Sequence, residues 1–177
     1  MIRAGLAALL QDHGFAVVPL DSSPEVLLVD WTSKDLDASL RSAAKRATRC
    51  VVYGRPMTAG LAIYALDHGA DVIISDSDPF ERVLAALRLE ELPPLAGELA
   101  TEVLEVLMRR QRLPSLSPRE VQTIRLLDQG ADLDDVAMTL GIKSLTARNH
   151  SQRAQRKLGA HSQHEAVLAA RQLGYVG

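Results

Sequence analysis

With 177 residues, 47% hydrophobic and 24% charged, and a formal net charge of −2, the chain has a globular rather than a disordered composition, and room for one sizeable domain or two small ones. Its longest apolar runs, such as Leu6 to Leu10 and Val26 to Val29, fall far short of the roughly 20 residues that cross a bilayer, so no membrane partner is expected. The opening MIRAGLAALLQDHG lacks the long apolar region of an export signal. The single cysteine, Cys50, excludes an internal disulfide and a cysteine zinc cluster and fits a reducing cytoplasm; it reads as a small buried hydrophobe.

Charge is unevenly placed. Residues 1–95 carry 9 basic against 13 acidic residues, whereas 96–177 carry 11 against 9. Between Gly141 and His161 there are five basic residues and no acidic one, a local field suited to a polyanion.

In chain order, the first 90 residues alternate helix-like and strand-like segments closed by turn residues, an α/β rhythm. Ile2 to Asp12 reads as a helix, Ala16 to Pro19 as a short strand, Glu25 to Trp31 as a buried strand, Leu36 to Arg46 as a helix and Cys50 to Tyr53 as a strand. Thr58 to His68 is helical, Asp71 to Ser75 is a fourth strand, and Pro79 to Leu89 is a helix with Ser77 or Asp78 as its cap. The continuous runs VLLV, CVV and DVII predict parallel strands covered on both faces. Two prolines in Glu91 to Pro94 end this rhythm. Gly97 to Arg112 is then a helix whose apolar stripe of Leu99, Val103, Val106 and Leu107 packs either on the first domain or on a partner chain.

From Ser117 onward only short helices are expected. Ser117, Pro118 and Glu120 form the start of one, with the pattern of a capping box; it runs to Gly130 with Val121, Ile124 and Leu127 on one face. Asp134 to Leu140, Thr146 to Leu158 and Ser162 to Leu173 follow, closed by Gly141, Gly159 and Gly174. Two short helices joined by a Gly-containing turn have the helix-turn-helix arrangement.

The segment LSPREVQTIRLLDQGADLDDVAMTLGIKSLTARNHSQRAQRKLGAHSQHEAV resembles the DNA-binding domain of LuxR-type (NarL/FixJ-like) regulators over its whole length. The resemblance implies that the helix from Thr146 to Leu158 enters the major groove of double-stranded DNA. It implies base contacts by Arg148, Asn149 and Gln152, residue types that pair with guanine or adenine edges, and backbone contacts by Lys143, Thr146, Arg153, Arg156 and Lys157, with the helix dipole at the C-terminus as the alternative role of Arg156 and Lys157. Two departures stand out. Lys143 replaces a capping Ser, with Ser144 one place later, so the cap is expected to shift by a residue. Asp132, Asp134 and Asp135 replace neutral or basic residues near phosphate, which implies weakened affinity or a required partner.

Residues 1–92 resemble a response-regulator receiver domain. IRAGLAALL is similar to its first helix, EVLLVD to the strand ending at the phosphoacceptor, here Asp30, and GADVIISDSDPFERVLAAL to its final strand and helix. The sequence begins inside the first helix of that pattern, so no counterpart of the first strand and its acidic pair is expected. Either Ala16 to Pro19 pairs with Glu25 to Trp31, or another chain fills the gap. Gly54 stands at the hydroxyl position, Ile73 at the switch aromatic and Asp76 at the lysine, and a negative charge there repels phosphate. The resemblance thus implies a degenerate receiver with Asp30 as a vestigial phosphoacceptor.

The expected architecture is an α/β, flavodoxin-like receiver domain (1–92), a linker helix (93–113) and an all-α, four-helix DNA-binding domain (114–177). The expected function is a sequence-specific, phosphorylation-independent transcription regulator, dimeric because one such domain covers half of a palindromic site, with Ala166, Val167, Ala169 and Ala170 offering small apolar contacts between copies while some of them pack on their own domain. An unknown protein or small-molecule effector is expected at the N-terminal domain. The alternatives are a regulator phosphorylated at Asp30 and a protein-interaction module that binds no DNA. No P-loop, GxSxG or HExxH is present, so no enzyme activity is expected. His161 and His164 lack partners for a metal, and no cofactor or metal is expected. Trp31, Tyr53 and Tyr64 line a ligand pocket at the strand ends or, by default, pack in the core. Asp71, Asp76 and Asp78 read as a solvated loop with a helix cap rather than a cation site.

Overall fold

The computed structural model describes residues 2–18, 22–32, 39–40, 47–54 and 56–177. Three parallel strands, β1 (Val26–Asp30), β2 (Arg49–Gly54) and β3 (Val72–Ser75), lie in that order, with Val29 beside Val52 and Val52 beside Ile73. Side chains alternate across a strand, and here each alternate set is apolar. Val29, Val52 and Ile73 join one core, with helix α2 (Ala59–Asp67), while Val51, Val72 and Ile74 join another, with helix α3 (Phe80–Leu87). The runs CVV of β2 and VII of β3 thus mark strands buried on both faces, as expected, whereas in β1 only Val29 is buried and Val26, Leu27 and Leu28 are half-buried.

Helix α1 (Ile2–Asp12) has the expected bounds. The strand expected from Ala16 to Pro19 does not form over residues 16–18; Pro19 lies outside the described residues. Val17 and Val18 are both about half exposed, at 50% and 46%, whereas a paired strand would bury one of two neighbours. Among the described residues β1 is paired on one side only, by β2. Of the helix expected from Leu36 to Arg46, only residues 39 and 40 are described; both are helical, and Leu40 is fully buried.

The α3 cap also differs from expectation. Pro79 occupies the cap position without a side-chain bond. The Asp78 carboxylate instead accepts from the Ser75 N–H at 2.8 Å and pairs with the buried Arg82 at 3.6 Å, while the Ser77 hydroxyl bonds that of Ser75. Arg82 and Arg49 in turn donate to the carbonyls of Pro93 (2.7 Å) and Glu90 (2.7 Å), fixing the chain that leaves α3. Cys50 is buried as expected, and its thiol is pushed up to about 12, by burial first and then by the nearby Asp71 carboxylate.

Helix α4 (Gly97–Arg112) settles where the linker stripe goes. Leu99 and Val103 are buried, with Val106 and Leu107 packed against the same core as α2, so the stripe is consumed within the chain.

Four helices follow: α5 (Pro118–Asp128), α6 (Leu133–Leu140), α7 (Ser144–Leu158) and α8 (Gln163–Gln172). The Ser117 hydroxyl accepts from the Glu120 N–H at 3.3 Å and Glu120 accepts from the Ser117 N–H at 2.7 Å, the expected capping box. Ile124, Ala154, Ala166, Ala170 and Val176 make one core here, and Val136, Ala137 and Ala147 make a second between α6 and α7. Ala166 and Ala170 are fully buried in that first core, so these two pack on their own domain and leave Val167 and Ala169, both half-buried, nearer the surface.

The helical unit rests on α2. A Cβ added to Gly60 would collide with the Arg171 and Gln172 carbonyls, and one on Gly174 would meet the Gly60 carbonyl at 2.8 Å. Arg110 of α4 bridges both sides, bonding Asp67 at 3.0 Å and lying 4.3 Å over the Tyr175 ring. Burial works against the Arg110 charge, but its bonds to Asp67 and Tyr175 outweigh that and hold the guanidinium above its ordinary value.

Candidate nucleic-acid interface

Helix α7 is held by small residues on its inner side. Ala147, Ser151 and Ala154 recur at helical spacing and are at most 1% exposed, which lets α7 approach α5 and α6 closely. The turn from α6 is equally fixed. Gly141 adopts φ +64°, the left-handed region that favours glycine, and the Ile142 N–H reaches back to the Ala137 carbonyl at 2.9 Å. Helix α7 begins at Ser144 with Lys143 at the cap position and no side-chain cap bond. The cap therefore does not shift to Ser144, and the helix starts two residues before the expected Thr146.

With its inner side fixed, α7 presents Lys143, Arg148, Asn149, Gln152, Arg153 and Arg156 to solvent. Lys143, Arg148, Arg153 and Arg156 make no ion pair among the described residues, so their charge faces outward uncompensated. Thr146 is half-buried on the rim. Lys157 is placed differently: its ammonium bonds Glu120 at 2.8 Å and the Ser115 carbonyl at 3.0 Å, inside the domain. Burial would raise the Glu120 pKa, but the bonds from Lys157 and the Ser117 N–H outweigh it, so Glu120 titrates below the usual carboxylate range.

Asp132 and Asp135 have a local purpose that the sequence reading missed. Asp132 caps α6, accepting from the N–H groups of Asp134 (2.9 Å) and Asp135 (2.8 Å), while Asp135 reaches back to the Asp132 N–H. The signal was present in the order DLDD before an apolar run, a capping box with Asp in both places. Both carboxylates are thereby engaged with α6, where negative charge favours the helix N-terminus.

At the end of β1, the Asp30 carboxylate accepts from the Thr32 N–H at 2.9 Å and the Thr32 hydroxyl at 2.6 Å. The ring of Trp31 lies over Gly54, where a Cβ would collide with its Cδ1. A serine or threonine at position 54 would therefore fit only if the Trp31 ring shifted. Trp31 and Tyr64 belong to the core on one sheet face and Tyr53 to that on the other, so the three do not line one pocket. No group of three His, Cys, Asp or Glu suited to a metal occurs among the described residues, and none of the described helices is long and apolar enough to cross a membrane.

The family model of bacterial regulatory proteins of the luxR family matches residues 114–170. The chain is similar to the response regulator RamR of Streptomyces coelicolor, 27% identical over 136 residues that span 76% of this chain and 65% of that protein. It is also similar to the HTH-type transcriptional activator RamA of Corynebacterium glutamicum, 32% identical over 84 residues, 48% of this chain and 28% of that one. The chain thus spans less than two thirds of either relative. Among solved structures, RcsB from Salmonella enterica serovar Typhimurium, bound to promoter P1flhDC in the presence of phosphomimetic BeF3-, superposes with a TM-score of 0.51 at 17% identity, covering 93% of this chain and 80% of that one. That likeness is one of fold. With the capped helices, the Gly141 turn and the outward face of α7 in place, residues 114–170 of this chain are a helix-turn-helix domain of the LuxR family.

Proposed function

We propose that the chain is a sequence-specific, double-stranded DNA-binding transcription regulator that acts as a dimer and without phosphorylation. The observation that carries this reading is the solvent face of α7, where Arg148, Asn149 and Gln152 stand among Lys143, Arg153 and Arg156 while the opposite side is locked by Ala147, Ser151 and Ala154. Arg148 suits the N7 and O6 acceptors of guanine, and Asn149 and Gln152 suit adenine. Lys143, Thr146, Arg153 and Arg156 hold backbone phosphates. Lys157 is set aside from that group because Glu120 engages its charge. The organisation we propose is a receiver-like unit over 1–92, a linker helix over 93–113 and the DNA-binding unit over 114–177.

Phosphorylation independence is supported at three positions. Phosphoryl transfer needs positive charge and a hydroxyl around the acceptor. Here Gly54 carries no hydroxyl and its place is covered by the Trp31 ring, Asp76 replaces a cation, and Asp30 is engaged by Thr32. Incubation with acetyl phosphate and Mg²⁺ should leave the intact mass unchanged; an added phosphoryl group that disappears in Asp30→Ala would sink this part.

Sequence reading is tested by competition between a selected site and scrambled DNA. Arg148→Ala with Asn149→Ala should remove the preference, each lost bidentate contact being worth about 1–3 kcal/mol. Arg153→Ala should weaken both DNAs alike. Preference that survives the double variant refutes the assignment of α7.

A further inference from the structure

Leu145 is unusual in its place. It is the second residue of α7 and 69% exposed. A single exposed leucine is ordinary on a protein surface, so exposure alone decides nothing. Position does. Residues 145, 149, 152 and 156 fall at i, i+4, i+7 and i+11 and so share one helix face, opposite the buried Ala147, Ser151 and Ala154. Leu145 thus stands in line with Asn149, Gln152 and Arg156, at the N-terminal end of the helix, the end that meets base edges when a recognition helix lies in the major groove.

We infer that Leu145 reads the C5-methyl group of a thymine in the half-site. The inference rests on the reading of α7 as a DNA-recognition helix and names a base that the polar residues do not specify. Every neighbour on this face hydrogen-bonds; leucine cannot. The major-groove edge offers one apolar group, the thymine methyl. Against a cytosine, Leu145 would instead cover the N4 amino donor and leave it without a partner, which is costly when water is excluded. Leu145 therefore selects thymine both by the contact it makes and by the donor it cannot satisfy.

The test uses the full chain. A binding site is first selected from random duplexes, and each thymine in it is then replaced singly by deoxyuridine, which removes only the methyl group. For the wild-type chain, one position in each half-site should lose roughly four-fold in affinity, the worth of one buried methyl. In Leu145→Ala the same replacement should change affinity by less than about two-fold, and thymine should no longer be preferred over cytosine there. Exposed helix positions tolerate alanine well, and circular dichroism confirms that the variant is folded. If no thymine responds, or if the response is undiminished in Leu145→Ala, the inference is overturned while the reading of α7 stands. If selection yields no preferred site, both are overturned.

Discussion

Replacing Gly60 by alanine distinguishes a docked helical unit from a free one by the sign of its effect. Gly60 lies inside α2, and in a helix with open space around it, glycine to alanine stabilises by about 0.5–1 kcal/mol because the unfolded chain loses freedom. Here the new methyl would run into the Arg171 and Gln172 carbonyls at the end of α8. Those are backbone atoms and cannot swing aside as a long side chain does. Overpacking of this kind costs about 1–3 kcal/mol, which exceeds the helical gain. Thermal unfolding of the full chain should therefore shift down, by about 2–4 °C for each kcal/mol of net loss in a protein of this size. Proteolysis should also cut faster between α4 and α5, because the contact that holds α8 on α2 is pried open. A Gly60→Ala variant that melts higher than the wild type, with unchanged proteolysis, would refute the docking of the C-terminal helices on α2.

Three further outcomes follow from the packing and titration of particular groups. Glu120 titrates below the usual carboxylate range when folded, so its bonds to Lys157 and Ser117 contribute stability that is fully present above the unfolded value of about 4.3 and is lost as pH falls through the lower folded value; in acid denaturation followed by circular dichroism, Glu120→Gln should flatten that limb and leave a smaller stability at neutral pH. Cys50, buried and with its thiol raised to about 12, should resist iodoacetamide at pH 8 in the native protein and react on unfolding, and rapid native labelling would show that β2 is not packed as described. Gly54→Ser should destabilise by about 1–3 kcal/mol through collision with Trp31, and the same change should cost less in a Trp31→Ala background; additive losses in chemical denaturation would mean that the two residues do not meet.

The helices were the legible part of this chain, because their ends are written in short-range chemistry. Ser117, Pro118 and Glu120 mark the start of α5, and Gly141 and Gly159 mark the ends of α6 and α7 by a backbone conformation that glycine adopts at little cost. The strands were legible where three apolar residues run together, and misleading at Ala16 to Pro19, where an apolar pair has no neighbour over the described residues. Longer-range facts were harder. That Lys157 pairs with Glu120, or that Arg49 holds the end of α3, depends on residues about 40 positions apart. The docking surface did leave a trace: residues Ala59 to Ala65 are apolar or small without a polar side and all are buried, as expected of a helix packed on more than one face. On α7 the residue types that suit bases could be read directly. Which of its cations face outward, and that Leu145 stands among them, required the inner face to be located first.

The most direct test of the account is the salt dependence of site-specific binding by the full chain. If two copies each place Lys143, Arg153 and Arg156 on phosphates, log affinity should fall with log salt at a slope of about −5, near −0.9 per contact, while the selected site stays preferred over scrambled DNA throughout. Affinity that hardly changes between about 50 and 200 mM salt, or that is equal for selected and scrambled duplexes, would contradict the assignment of α7 as the element that reads DNA.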